Sequence, residues 1–297
     1  MDTFEIVIIG QGPAGLSAAI YTARAGMKTL ILGCEPKIAG DYDIDNYFGF
    51  PETISGSELI MRGKQQAERF GVEMRCSRVL SIHPEGEDSF KVTTEDGPVM
   101  ACAVILATGV SRIRPGVDNI TEYEGKGVSY CVSCDGFFYR DKKVKVLGEG
   151  IFAANQALEL KQYTPRVSIC TQGKTPDISS AFLEKLVQNK ISIEQKKIST
   201  LEGENGLERV VYADDTREDV DGLFVAIGEA SSLDFAASLG VTQKGVFIEA
   251  DAEQKTNVPG VFAAGDCVGR FLQISVAVGE GAVAGRSAIG YVKKICR

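Results

Sequence analysis

Phe4-Glu5-Ile6-Val7-Ile8-Ile9-Gly10-Gln11-Gly12-Pro13-Ala14-Gly15 is an apolar run that breaks into three closely spaced glycines and then into small residues continuing to about Gly26. The run predicts a buried strand, and the small residues predict a helix packed close against it. Between them the glycines divide the work of a dinucleotide loop. Gly10 permits the tight turn, Gly12 lets a pyrophosphate approach the backbone, and Gly15 lets helix meet strand. Pro13 and Ala14 open a helix whose N-terminus carries positive dipole. Glycines alone are a weak signal; a strand before them and a helix after them make it a strong one.

Outward from this loop, Lys28-Thr29-Leu30-Ile31-Leu32 reads as a second strand, with Glu35 placed where an acid can bond an adenosine ribose. Residues 57–70 read as an amphipathic helix. Three short alternating segments between Arg78 and Ala101 read as a small antiparallel sheet covering the crossover. Val104-Ile105-Leu106-Ala107-Thr108-Gly109 returns an apolar strand to the parallel sheet, and Arg112 to Gly116, broken by Pro115, reads as a hinge.

The design then recurs. Lys143-Val144-Lys145-Val146-Leu147 followed by Gly148-Glu149-Gly150-Ile151-Phe152-Ala153 is a second strand–glycine–helix unit, which Gly222 to Gly228 closes with another apolar segment and Glu229 to Leu239 follows as a polar return. Thr256 to Asp266 leads into a last helix from about Gln273 to Val292. The fold expected is α/β, with two Rossmann-like nucleotide-binding domains of three-layer ββα form. The first is discontinuous, residues 1–114 with 244–297; the second spans 115–243.

Cys131-Val132-Ser133-Cys134-Asp135 lies in the second domain. Two cysteines two residues apart can close a small disulfide ring, and Asp135 behind them can take or give the proton that thiol–disulfide exchange moves. A zinc site would need two more ligands at similar spacing. No second such pair exists, and the single histidine, His83, is distant in sequence. Two buried cysteines would be the inert alternative, and the flanking sequence favours redox chemistry.

At 297 residues the chain accommodates two domains, each able to bury a core. A net charge of −8 opposes binding to nucleic acid or an anionic membrane, both of which need a basic patch. The sequence opens directly on an apolar strand with no basic leader, and no apolar run reaches spanning length, so a cytoplasmic protein is expected. Six of the eight cysteines lie scattered, which suits a reducing compartment better than a disulfide framework.

Over nearly its whole length the sequence resembles the low-molecular-weight thioredoxin reductases. Gly10 to Gly15 match that family's FAD-pyrophosphate loop, and Ala107-Thr108-Gly109 its Ala-Thr-Gly strand. Cys131 to Arg140 match its redox segment, and Gly260 to Asp266 the segment in which Gly265 precedes the Asp bonding the flavin ribityl chain. Leu272-Gln273-Ile274 stands where the family has Arg-Gln-Ala near the flavin, which leaves Gln273 as the matching contact and alters the flavin environment at Ile274. The resemblance implies FAD, a redox disulfide of Cys131 and Cys134, Asp135 as proton donor and acceptor, a homodimer, and thioredoxin as substrate. A final helix starting near Gln273 would also aim its positive end at a reduced flavin.

The departures from the family bear on the electron donor. NADPH-using members carry a His-Arg-Arg set and a further Arg for the 2′-phosphate; here the matching segment is Cys170-Thr171-Gln172-Gly173, with Asp177 at the later position. Glu149 replaces a small neutral residue in the loop, and Ile151-Phe152 stand where small or polar residues would face the pyrophosphate. A carboxylate about 5 Å from a phosphate charge repels it by about 3 kcal/mol at an effective dielectric of roughly 20. Each lost charge-assisted bond adds about 1.5–3 kcal/mol. Poor NADPH binding is therefore expected, and the thioredoxin reductases that share this pattern take electrons from reduced ferredoxin. An acidic chain repels acidic ferredoxins overall, so docking would need a local basic surface such as Arg140, Lys142, Lys143 and Lys145. A conventional NADPH enzyme, a flavin dithiol oxidase using oxygen, and a flavin redox sensor without turnover are the other readings.

Overall fold

The computed structural model describes residues 1–40, 43–110, 115–228 and 230–296. The chain divides into unit 1, Met1–Ser111 with Ser231–Arg297, and unit 2, Arg112–Ala230. Of the expected hinge, Arg112, Ile113 and Arg114 lie outside the described residues.

Unit 1 opens on β1 (Asp2–Ile9) and α1 (Pro13–Arg24), then β2 (Thr29–Leu32), the small hairpin β3 (Asp43–Ile44) and β4 (Ile54–Ser55), α2 (Gly56–Glu68) and β5 (Glu73–Arg75). β6 (Val79–Pro84), β7 (Phe90–Thr94) and β8 (Gly97–Leu106) follow. The three segments after Arg78 are not a separate sheet. β8 is one continuous ten-residue strand, antiparallel to β7 at its start and parallel to β1 along its length. The expected short third arm and the returning apolar strand are the same strand. Its burial pattern shows why: it alternates at first, then becomes buried on both faces from Ala103 to Leu106.

Unit 2 contains β9 (Val128–Ser129), the short helix α3 (Val132–Asp135), β10 (Val144–Leu147), α4 (Ile151–Leu160), β11 (Val167–Cys170), α5 (Ser180–Gln188) and β12 (Ser192–Glu194). The antiparallel set β13 (Ile198–Glu202), β14 (Arg209–Tyr212) and β15 (Arg217–Asp219) precedes β16 (Gly222–Val225). A parallel sheet of order β12-β11-β10-β16-β9 is the floor of this unit. Lys145, at the centre of β10, is fully buried; its Nζ meets Glu194 Oε2 at 2.8 Å and Glu218 Oε2 at 2.9 Å, and the Tyr212 hydroxyl donates to both carboxylates.

Unit 1 resumes with α6 (Ser232–Leu239), β17 (Gln243–Lys244), β18 (Phe247–Ile248), β19 (Val261–Ala263) and α7 (Ile274–Ile295). Two expectations are corrected here. The return from the inserted unit falls at Ser231 rather than at residue 244, and the stretch read as a polar return is mostly helix. Ser231 and Asp234 form a reciprocal capping box that starts α6, Gly240 ends it in the left-handed conformation, and Ser238 Oγ donates to the Ile82 carbonyl of unit 1. α7 lies against α1 at close range because Gly281 and Gly285 leave room for the α1 backbone; a Cβ at Gly281 would strike the Ala14 carbonyl.

The scattered cysteines are also partly paired. Cys34 is bonded to Cys76 and Cys102 to Cys296, besides Cys131 to Cys134, while Cys170 and Cys267 are free and buried. Separations of 42 and 194 residues hide such pairs from a reading by spacing. No helix among the described residues is long and apolar enough to cross a membrane.

Candidate functional site

In unit 1 the register of the parallel strands brings three loops to one edge. Ile9 pairs Leu106, and Leu106 pairs Ala263, so Gly10–Gly15, Ala107–Gly109 and Ala264–Asp266 all leave the sheet together. Gly10, at φ +114°, packs on the backbone of Ala107, where any Cβ would be driven into the carbonyl. Gly15 likewise has its missing Cβ position against the Gly10 carbonyl. Gly12 differs: the nearest atom to an added Cβ is Pro36 Cβ at 3.9 Å, which leaves its backbone open. Pro13 and Ala14 stand at the start of α1, whose first turn carries no acidic residue and whose Gly12 cap has no side chain. The N–H groups there are left for an anion.

Thr108 Oγ1 is buried with no hydrogen-bond partner, and Gly109 takes φ +68° beside it. Burial raises the Asp266 carboxyl above its ordinary range. Gly265, at φ +82°, packs on Ala14 and donates its N–H to Glu280 Oε2 at 2.8 Å. Gln273 caps α7 with its backbone, Ile274 is the first helical residue, and Asn46 Nδ2 donates to Gln273 Oε1 at 2.9 Å. Glu35 is exposed, two residues beyond Gly33. The open Gly12, the uncapped α1 and the orphaned Thr108 hydroxyl fit a bound dinucleotide. One residue that sequence reasoning missed lies inside the loop: Gln11, 5% exposed, donates from Nε2 to the Gly33 carbonyl at 2.5 Å and the Arg75 carbonyl at 3.1 Å.

In unit 2, Cys131 and Cys134 are bonded with Cα atoms 5.3 Å apart across the first turn of α3. Cys134 is exposed and Cys131 half-buried. Ser129, at the end of β9 and 4% exposed, was also missed. Its hydroxyl donates to Asp135 Oδ2 at 2.6 Å and accepts the Cys131 N–H at 3.1 Å, so one side chain fixes both the ring and the acid. No motif marks it; only its place three residues ahead of α3 at a strand end does. Burial, with the Asp135 and Asp221 carboxylates adding to it, pushes the Tyr139 phenol above its ordinary pKa. Phe137 and Phe138 are largely exposed, and the Arg140 guanidinium lies 4.5 Å from the Phe137 ring.

The second glycine loop keeps its fold. Gly148 packs on the Ala226 carbonyl much as Gly10 packs on Ala107. Its mouth is filled by the chain itself. Asp177 N–H donates to the Glu149 carbonyl at 2.8 Å, Gly150 and Asp177 form a bridge, and Ile151 and Phe152 are buried. Gln172, at φ +56°, turns its amide inward; Nε2 donates to the Pro115 and Ile198 carbonyls, and Oε1 accepts the Ile198 N–H. Glu149 is paired with Lys174, a cation outside the positions matched to the family's phosphate-binding set. The other Glu149 oxygen is buried without a partner. In the basic cluster, Lys145 is consumed in the core and Lys143 is paired with Glu218 at 3.0 Å, while Arg140 and Lys142 are exposed.

Two glycine-loop units with a bonded Cys-x-x-Cys pair define a class, and residues 4–281 match the family described as pyridine nucleotide-disulphide oxidoreductase. A thioredoxin reductase of Treponema pallidum (strain Nichols) is 34% identical over 98% of both chains. The crystal structure of the atypical thioredoxin reductase TRi from Desulfovibrio vulgaris Hildenborough is 63% identical, covers 99% of both chains and superposes with a TM-score of 0.97. A ferredoxin-flavin thioredoxin reductase from Clostridium acetobutylicum is 28% identical over 100% of this chain and 99% of its own, with a TM-score of 0.73. The chain belongs to the low-molecular-weight thioredoxin reductases, flavoproteins within the pyridine nucleotide-disulphide oxidoreductase family.

Proposed function

We propose that this thioredoxin reductase draws electrons from reduced ferredoxin rather than from NADPH. They pass through FAD held by Gly10, Gly12, Pro13, Ala14, Gly15, Glu35, Ala107, Thr108, Gly109, Gly265, Asp266, Gln273 and Ile274. Cys131 and Cys134 then deliver them to thioredoxin. The active form proposed is a cytoplasmic homodimer, as the family resemblance implies.

One observation carries the choice of donor. The second glycine loop is occupied by the chain's own groups, with Glu149 locked to Lys174 and the segment to Asp177 bridged across the loop. A dinucleotide would have to displace this bridge and desolvate Glu149 without the arginines that normally compensate its phosphates. That one of the similar solved structures is a ferredoxin-flavin thioredoxin reductase supports the reading. Arg140 and Lys142 are exposed cations available to an acidic donor.

FAD supplies, when bound, a carrier that accepts electrons singly and gives them up as a pair. The Cys131–Cys134 bond takes two electrons and two protons and opens to two thiols. One thiolate attacks the thioredoxin disulfide and forms a mixed disulfide. The second thiolate then breaks that bond, which closes Cys131–Cys134 again and frees thioredoxin as a dithiol. Asp135 moves the proton at the leaving sulfur, and Ser129 holds Asp135 in place. Phe137 and Phe138 offer thioredoxin an apolar landing surface close to Cys134 in the chain.

A second reading has its own support. Lys174 is half-exposed beside the loop and, if freed from Glu149, would offer a phosphate one cation. Steady-state thioredoxin reduction separates the two. Turnover with photoreduced ferredoxin and none with NADPH is expected, and sustained turnover with NADPH alone would establish the conventional enzyme instead.

A further inference from the structure

We infer that Cys34 and Cys76 form a second, reversible dithiol–disulfide site, and that its state governs how firmly unit 1 holds the adenosine half of its cofactor. β2 and β5 are adjacent parallel strands whose last registered pair is Leu32 with Arg75. The two cysteines follow directly, Cys34 after Gly33 and Cys76 after Arg75, bonded with Cα atoms 4.3 Å apart. Cys76 is exposed and Cys34 half-buried, so a small thiol or disulfide can reach the pair. The free cysteines differ. Cys170 and Cys267 are buried, and burial pushes both thiols up, Cys267 to about 12.

The link to the cofactor loop is Gln11. Its amide donates to the carbonyls of Gly33 and Arg75, the residues immediately preceding the two cysteines. One side chain from the middle of Gly10-Gln11-Gly12 is therefore clamped to both strand ends that the disulfide joins. Gly33, at φ +124°, packs its missing Cβ position 3.5 Å from Gly10 Cα. Glu35, the acid placed for the ribose, is the next residue after Cys34. With the bond closed, the strand ends, the Gln11 clamp and Glu35 are one piece. With it open, β5 is held at its end by the Gln11 bond and by Arg75 ion pairs to Asp2 and Glu73 at a surface where such pairs are weak.

The chemistry balances with a low-molecular-weight disulfide as oxidant. The Cys76 thiolate attacks one of its sulfurs, forming a mixed disulfide and releasing one thiolate. The Cys34 thiolate then attacks Cys76 sulfur, which forms the Cys34–Cys76 bond and breaks the mixed one. Two protein thiols lose two electrons and two protons, and the small disulfide becomes two thiols. Small dithiols run the sequence backwards.

The retention role rests on the reading of unit 1 as an FAD site, and the test keeps the two apart. Flavin-loaded protein is equilibrated in buffers of reduced and oxidised dithiothreitol, thiols are trapped by alkylation, and the Cys34–Cys76 peptide is quantified by mass spectrometry. FAD release is followed in the same samples by the rise of free-flavin fluorescence. The expected result is a reversible two-electron titration of the peptide and an FAD release rate at least about tenfold faster once the bond is open. Cys34→Ser and Cys76→Ala, kept oxidised so that the other cysteine pairs stay closed, should release FAD at the fast rate. A pair that never forms the bonded peptide, or release rates equal in the two states and in both variants, would overturn the proposal. A protein that titrates normally at the peptide but holds no FAD in either state would overturn the cofactor reading, and the retention role with it.

Discussion

Ser129→Ala removes one hydroxyl from the base of the dithiol ring and isolates its effect on Asp135. The hydroxyl is 4% exposed and donates to Asp135 Oδ2 at 2.6 Å, so no water is placed to replace it. A hydrogen bond to a charged group contributes about 1.5–3 kcal/mol. If that interaction holds the carboxylate where it works, its loss slows the step by about 10- to 150-fold. The assay is rapid-mixing reduction of thioredoxin by photoreduced enzyme, which takes the electron donor out of the measurement. Asp135→Asn alone should slow the same step by about 100- to 10,000-fold, the ordinary range for a positioned acid or base. Because Ser129 is argued to act through Asp135, the double variant should be no slower than Asp135→Asn. Additive losses would refute this and assign Ser129 a separate effect through its bond to the Cys131 N–H.

Cys131→Ser and Cys134→Ser should each abolish multiple turnover with flavin content unchanged, as absorbance of the purified variants against their turnover will show; steady activity in either removes the pair from the mechanism. Lys145→Met removes the buried cation shared by the half-buried Glu194 and Glu218 carboxylates and should destabilise unit 2 by about 1–3 kcal/mol in denaturant titration; no measurable loss would mean that Tyr212, Lys143 and solvent satisfy them. Burial would raise the Glu218 pKa, but the Tyr212, Lys145 and Lys143 hydrogen bonds outweigh it and hold the group at about 2. Its folded pKa therefore lies below its unfolded one. The stability it contributes, about 1–3 kcal/mol after solvent screening of a side chain 22% exposed, is present above about pH 4.5 and lost as pH falls toward 2. Acid unfolding curves that show no such loss between those values in the unmodified protein, or an undiminished one in Lys145→Met, would contradict the assignment.

Much of this was legible in the sequence because it is local. The strand–glycine–helix signature needs only adjacent residues, and the cysteine pair with its acid is contiguous. What escaped depends on chain segments meeting from afar. Nothing in spacing joins Cys34 to Cys76, since adjacency comes from β2 lying beside β5. Ser129 is an ordinary serine until the turn into α3 folds Asp135 back on it. Lys145 looked like one of four surface cations, but β10 is a central strand buried on both faces, and two acids from other strands meet the lysine there. Lys174 lies outside the motif positions, so its pairing with Glu149 appears only once the loop to Asp177 closes. That pairing changes the reason for excluding NADPH, from bare repulsion to a site filled by the chain's own groups.

The electron donor is tested most directly by an anaerobic flavin spectrum of the purified protein, recorded with NADPH, NADH and reduced ferredoxin in turn. Millimolar NADPH and NADH should leave the oxidised absorbance bands unchanged on the catalytic timescale, while reduced ferredoxin bleaches them and thioredoxin restores them. Rapid bleaching by micromolar NADPH would contradict the account.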